Sequence, residues 1–354
     1  MTNRTHIPAR RTLSAISFGL LATAVVAAGS LSAAPALAVP APRTTTVLPG
    51  GGLHPVGVAF SPDGDSAFVA DQGGFLRTFD VTDNSLVSEI AVTGAPPASN
   101  CSLSDVAVTA TGTNLYAPGW NCTGGSKLLK FVTGSTTQPQ QIALRDVATN
   151  VSASVTGAAA VTPDDSEVLV FAETNESPAR AALFIYNTGT SAVRSVDLGP
   201  IPSSGQSPSA IVVSADSSAA WVTNRSGSVA RVTLDTGAVT FITVDGNAHG
   251  LAILESIGAV FAVTDTGKLQ SISMSHDSVY DTDTISDGSL DNIAVSPDGN
   301  MLVVTDKGER TMNALFEEVR HIEDPIQEEL SAEELDQFIS MIDRIVIAVA
   351  AKGG

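Results

Sequence analysis

Short apolar runs broken by tight turns recur down most of the chain. In Val58-Ala59-Phe60-Ser61-Pro62-Asp63-Gly64, then Ala67-Phe68-Val69, two β-prone triplets flank a turn with Pro and Gly where fixed and positive φ values are needed. Variants follow at Val106 to Gly112, Ala159 to Asp165, Ile211 to Asp216, Leu251 to Ile253 and Ile293 to Gly299. The corresponding positions Phe60, Val108, Val161, Val213, Ile253 and Val295 are 48, 53, 52, 40 and 42 residues apart, the period of a four-stranded propeller blade. Each hairpin is followed by a third β-prone run, such as Leu76–Phe79 or Leu183–Tyr186, and a fourth, such as Val87–Val92 or Val239–Val244. The pattern predicts an all-β protein: a β-propeller over 39–308 with five complete four-stranded blades and a partial sixth. Thr44–Leu48 could supply the last blade with an outer strand.

From Glu309 the apolar period becomes helical. Met312, Leu315, Phe316, Val319 and Ile322 form one stripe; beyond Pro325, Ser331-Ala332-Glu333-Glu334 is a capping box opening a second helix. Two C-terminal α-helices are therefore expected over 309–354.

Two resemblances follow. The apolar triplet, Ser-Pro-Asp-Gly, apolar run and Asp/Asn-x-x-Gly, as in Val212 to Gly227 and Ile293 to Gly308, resembles the YVTN-type β-propeller repeats of exported bacterial proteins over about residues 44–308. That resemblance implies a binding platform or cell-surface module, with lactonases and quinoprotein-like enzymes among its relatives. Thr305 to Glu309 through Glu317 to Arg320, with Leu330 to Leu335, is similar to the last two, dimerising helices of MarR-type regulators. The DNA-reading elements of such regulators have no counterpart in this sequence. The tail is either a fusion or truncation junction or a helical lid on an open blade edge.

The amino terminus changes the expected location. Arg4, Arg10 and Arg11 precede an uncharged stretch from Thr12 to Pro42, and Ala36-Leu37-Ala38 closes it as a secretory signal cleaved after Ala38; an uncleaved anchor is the alternative. The expected destination is secreted, periplasmic or cell-surface, with no membrane segment in the mature form. Formal charge is +3 over 1–38, −15 over 39–308 and −7 over 309–354. Such acidity disfavours a phosphate backbone as partner, so nucleic acid is excluded. In an exported chain the two cysteines, Cys101 and Cys122, point to a disulfide. Asn100, Asn121, Asn150, Asn175 and Asn224 begin glycosylation triplets.

Candidate chemistry gathers where second strands should end. Eleven residues after the repeat positions come Asp71, Gly119, Ala172, Asn224, Thr264 and Asp306, with Glu173 and Asp265 one further on, and His54 and His249 ahead of first strands. With Trp120, which could stack on a ligand, these make a rim for a cation or cationic ligand. Turn formation by Asp and Asn explains the same residues without a ligand. Asp281, Asp283, Asp287 and Asp291 lack calcium-loop spacing, and His54, His249 and His276 are too scattered for a metal centre. Ser203 to Ser207 has loop composition rather than a nucleophile elbow. No catalytic residue, metal or cofactor is assigned. The expected function is an exported binding module for a small molecule, a cation or a surface protein. A lactonase-like or lyase-like enzyme using the rim carboxylates and His249, or a non-functional fusion, are the alternatives.

Overall fold

A computed structural model describes residues 54–92, 101–201, 209–224, 227–295 and 302–306. The signal sequence, the Thr44–Leu48 run, the Ser296-Pro297-Asp298-Gly299 turn and both C-terminal helices lie outside the described residues. Two compact units divide the chain; the larger, residues 46–294 and 304–308, holds every strand up to the last two and most of those.

Within it the chain lays down antiparallel sheets one after another. The first contains β1 (Pro55–Phe60), β2 (Ser66–Asp71), β3 (Phe75–Asp80) and β4 (Leu86–Ala91). The second contains β5 (Ser102–Leu103) and β6 (Ala107–Val108), both paired with β7 (Asn114–Trp120), then β8 (Lys127–Val132) and β9 (Gln140–Ala143). Next come β10 (Arg145–Asp146), β11 (Val151–Val161), β12 (Glu167–Thr174), β13 (Arg180–Asn187) and β14 (Val193–Pro200). The fourth sheet is β15 (Ile211–Val213), β16 (Ala219–Thr223), β17 (Ser228–Thr233) and β18 (Val239–Thr243). The fifth is β19 (Ala248–Leu254), β20 (Ala259–Thr264), β21 (Lys268–Ser273) and β22 (Ser278–Thr284), and β23 (Leu290–Val295) pairs with β24 (Leu302–Asp306). Strand order equals chain order throughout, as a meander of hairpins requires.

The hairpin turns use one device with different residues. At the position of Gly64 (φ 80°) stand Gly112 (φ 69°), Asp165 (φ 60°) and Ser217 (φ 59°), so left-handed backbone persists where Gly does not. Local side chains support it: Thr162 Oγ1 and Ser214 Oγ donate to Asp164 and Asp216 at 2.6 Å each, and those carboxylates accept the NH groups of Ser166 and Ser218. These bonds hold the Asp164 and Asp216 carboxyls down at about 2.

The sheets pack face to face in chain order. Phe68, Ala70 and Leu76 of the first meet Leu103, Leu115 and Phe131 of the second. Tyr116 and Leu128, on the second sheet's other face, meet Val168, Val170 and Phe184. Leu169, Phe171 and Ile185 then turn to Ala220, Val222 and Val232, while Trp221 and Val229 turn to Leu251, Val260 and Ala262. Alternate residues of each middle strand thus serve opposite neighbours, which is why β16 and β20 are buried at every position. Each large side chain so buried contributes about 1.5–3 kcal/mol. First strands β1, β6, β11, β15 and β19 adjoin in succession, the arrangement of a β-propeller-like fold.

Two features depart from the sequence pattern. The second sheet's first strand is split into β5 and β6 because the Asp105 carboxylate accepts the Val106 NH at 2.8 Å and turns those residues out of the ladder. β11 begins at Val151, well ahead of Ala159, with irregular register at Ala153/Val155 and Thr156/Ala159, and β10 pairs with its start. Cys101 and Cys122 are disulfide-bonded and buried among the first two sheets.

Close approach of first strands explains two glycines. A Cβ on Gly250 would lie 2.8 Å from the Asn292 Cα, and one on Gly57 2.8 Å from the Asp105 Cα. Gly250→Ala should lower stability by about 3 kcal/mol by forcing neighbouring backbones apart. Gly189→Ala, whose Cβ would meet only Asn187 Oδ1 at 3.6 Å, should leave the denaturation midpoint within error. Replacing both cysteines with Ser should cost about 3 kcal/mol in chemical denaturation, since the crosslink closes a 21-residue separation.

Candidate functional site

Second-strand ends and first-strand starts meet at one end of the sheets, and three of the rim residues predicted from sequence, Asp71, Asp265 and Asn224, are engaged there with backbone. Asp71 is buried; its Oδ2 accepts the His54 NH at 3.0 Å, its Oδ1 accepts the Gly73 NH at 2.6 Å, and Arg77 Nη1 lies 3.3 Å from Oδ2. Asp265 accepts both the backbone NH and the side-chain amide of Asn247 at 2.8 Å. Asn224 is buried, accepts from Ser228 Oγ at 3.1 Å and donates to the Leu198 carbonyl. In three sheets the same geometry thus ties the approach to the first strand to the end of the second: Asp71 to His54, Asp265 to Asn247, and Thr223 Oγ1 to the Ala210 NH at 3.0 Å.

The other predicted residues are dispersed. Glu173 lies on β12 opposite Val155 and Ala181. His54 is exposed, and its carbonyl accepts the Gln72 NH. His249 is buried, with Nδ1 3.5 Å from Asp291 Oδ1. Asp306 ends β24; its side chain lies outside the described residues. Among the described residues no three His, Cys, Asp or Glu side chains cluster as metal ligands. Of the glycosylation triplets, Asn121, Asn150 and Asn175 are exposed and Asn224 is buried, while Asn100 lies outside the described residues.

A cavity of 760 Å³ lies instead along the inner strands, and among the described residues Trp120 is the one predicted rim residue that lines it. All six sheets contribute: Pro55–Val58, Leu103–Asp105, Val155–Ala159, Ser209–Ile211, Leu251 and Asn292, with Gln72 and Trp120 at the strand-end side. Polar and small residues alternate around it. Asp105 packs against Gly57 on one side and accepts the Ala159 NH at 2.8 Å on the other. Ser209 Oγ packs against Gly157 and accepts the Ala158 NH at 2.9 Å. Ser104 Oγ shares a hydrogen bond of 2.9 Å with Thr156 Oγ1 and donates to the Gly157 carbonyl. These contacts join neighbouring first strands, which have no ladder bonds to one another.

Asp105 is the single ionisable side chain among the described lining residues. It is only half-buried by solvent contact, yet protein surrounds it, and that desolvation raises its carboxyl to about 6 despite the two backbone NH donors. Sequence reasoning missed Asp105. The available signal was a lone acid in a first strand, Ser104-Asp105-Val106, at a position where four of the other copies carry Gly or Ala and the sixth carries Asn292.

No family model matches the chain, and no curated protein matches it in sequence. Among solved structures, a chain from "Crystal Structure of Mitotic Checkpoint Complex" is similar in fold, with a TM-score of 0.57 and 12% identity over 73% of this chain and 73% of its own. The likeness supports a propeller-like fold. Among the described residues no helix is long and apolar enough to cross a membrane.

The pH dependence of stability follows from the two kinds of carboxylate. The folded chain holds the Asp105 proton more tightly than the unfolded chain does, from an ordinary value of 3.8 up to about 6. Stability therefore falls as pH rises through that window, by on the order of 2 kcal/mol, and is level above it. Asp164 and Asp216, depressed to about 2, act oppositely: their contribution is present above 3.8 and is lost as pH falls toward 2. Below about pH 4, where Asp105 is protonated, Asp105→Asn should cost about 1 kcal/mol through a lost backbone hydrogen bond, and that cost should shrink as pH rises and the wild type ionises. In urea denaturation at stepped pH the substitution should also abolish the decline between about pH 4 and 6.5.

Proposed function

We propose that this chain is an exported, non-catalytic binding module that holds a small molecule in its axial cavity. In this reading residues 44–308 are YVTN-type repeats that close radially as blades, and the signal sequence ending at Ala38 delivers the mature chain outside the cytoplasm. The observation that carries it is the cavity: all six sheets line one space within the size range of ligand sites, with an apolar wall and a few convergent polar groups. The acidic body favours a cationic or neutral ligand over an anionic one. Catalysis at the rim draws less support, because Asp71 and Asp265 accept backbone NH groups with both or one of their oxygens and hold the sheet ends in place.

The test is a small-molecule thermal-shift screen of the mature chain, followed by hydrogen exchange with any hit. A saturable rise in midpoint, with protection at Gln72, Trp120 and Val155–Ala159, is expected. Protection confined to the outer strands, or turnover of a hit that Asp71→Asn with Asp265→Asn abolishes, would overturn the reading.

A further inference from the structure

We propose that the axial cavity recognises a small organic monocation, an amine or quaternary ammonium compound, through Asp105. This deepens the binding-module reading and rests on it. The geometry begins with a carboxylate that has no cationic partner among the described residues, in a wall otherwise built of Val, Ala, Gly, Leu, Ile and neutral polar side chains. Each oxygen accepts one backbone NH, Val106 at Oδ1 and Ala159 at Oδ2, both at 2.8 Å. A carboxylate has about four lone-pair sites, so acceptor capacity remains on the cavity side. The two NH groups also fix the carboxylate in position before a ligand arrives.

The groups facing Asp105 make the charge argument stronger. From β1 come Pro55 to Val58, from β11 Val155 to Ala159, and from its own sheet Leu103 and Ser104, none of them ionisable. A desolvated carboxylate without a counter-charge is costly, and a ligand that brings the positive charge offsets that cost at the moment of binding. An anionic ligand would double it. An inorganic divalent ion is a poor fit, since calcium takes six to eight oxygen ligands and one carboxylate stands here. An organic cation suits the remainder of the wall: its carbon skeleton meets the apolar side chains, and Trp120 offers an aromatic face at the strand-end side.

The test is isothermal titration of the mature chain at pH 7.5 with matched probes: benzylamine and benzyltrimethylammonium, the neutral benzyl alcohol, and benzoate. Both cations should bind saturably with quenching of tryptophan fluorescence, at least tenfold more tightly than the alcohol, with benzoate not binding. Lowering the pH to 5 should weaken both cations about tenfold as Asp105 is protonated, with no change for the alcohol. Asp105→Asn should remove the preference for cations while keeping alcohol binding. The pH arm on the native chain decides the matter if that variant fails to fold. Cation binding that is unchanged at pH 5, or equal affinity for the alcohol, would sink the monocation class while leaving cavity binding intact. No binding by any of the four probes would sink both.

Discussion

The structure depends on burying both faces of each central strand. A sheet with a neighbour on either side must bury both faces, so Val168 to Ala172 of β12, Ala219 to Val222 of β16 and Ala259 to Val263 of β20 are apolar throughout and fit two different partners. Val168 and Leu169 illustrate it: one packs toward Tyr116 and Leu128, the other toward Val222 and Val232. Inner strands are under a different constraint. They converge, so glycines such as Gly57 and Gly250 sit where a neighbour's backbone comes within van der Waals contact.

Convergence also creates the site. Strands from separate sheets approach the axis without ladder bonds between them, which leaves polar side chains to make the connection. Asp105 and Ser209 do this by accepting the NH groups of Ala159 and Ala158. Further out, hairpin turns are joined the same way: Asp165 accepts from Ala110 and Thr111, and Glu255 from Ala215. The carboxylates of this acidic chain are therefore spent in two distinct manners. Those at turns and strand ends are satisfied by nearby backbone, while Asp105 is part bolt and part open acceptor facing the cavity.

That distinction accounts for the chemistry proposed for the cavity. A carboxylate at a surface turn is solvated and its charge is screened. One held in the wall of a cavity keeps more of its field, and a ligand with complementary charge can exploit it. The same placement makes the folded chain less stable when Asp105 ionises, a cost that a bound cation would relieve.

Much of this was determined by the sequence alone, because hairpins are local. Pro62-Asp63-Gly64 sets its turn with neighbouring atoms, and strand alternation follows from the pleat, so the runs from Val58 to Asp306 could be placed by inspection. The pairing of Cys101 with Cys122 was legible because two cysteines flank one hairpin. The sequence could also align Asp71 and Asn224 in one column, with Asp265 one residue further on. Only the tertiary structure decided what that column does, since His54, Asn247 and Leu198 are brought to it by the return of the chain. Asp105 escaped for the same reason: its partners Gly57 and Ala159 stand 48 and 54 residues away. The six contributions to the cavity meet only when separate sheets share an axis, a relation that no local pattern of apolar and polar residues encodes.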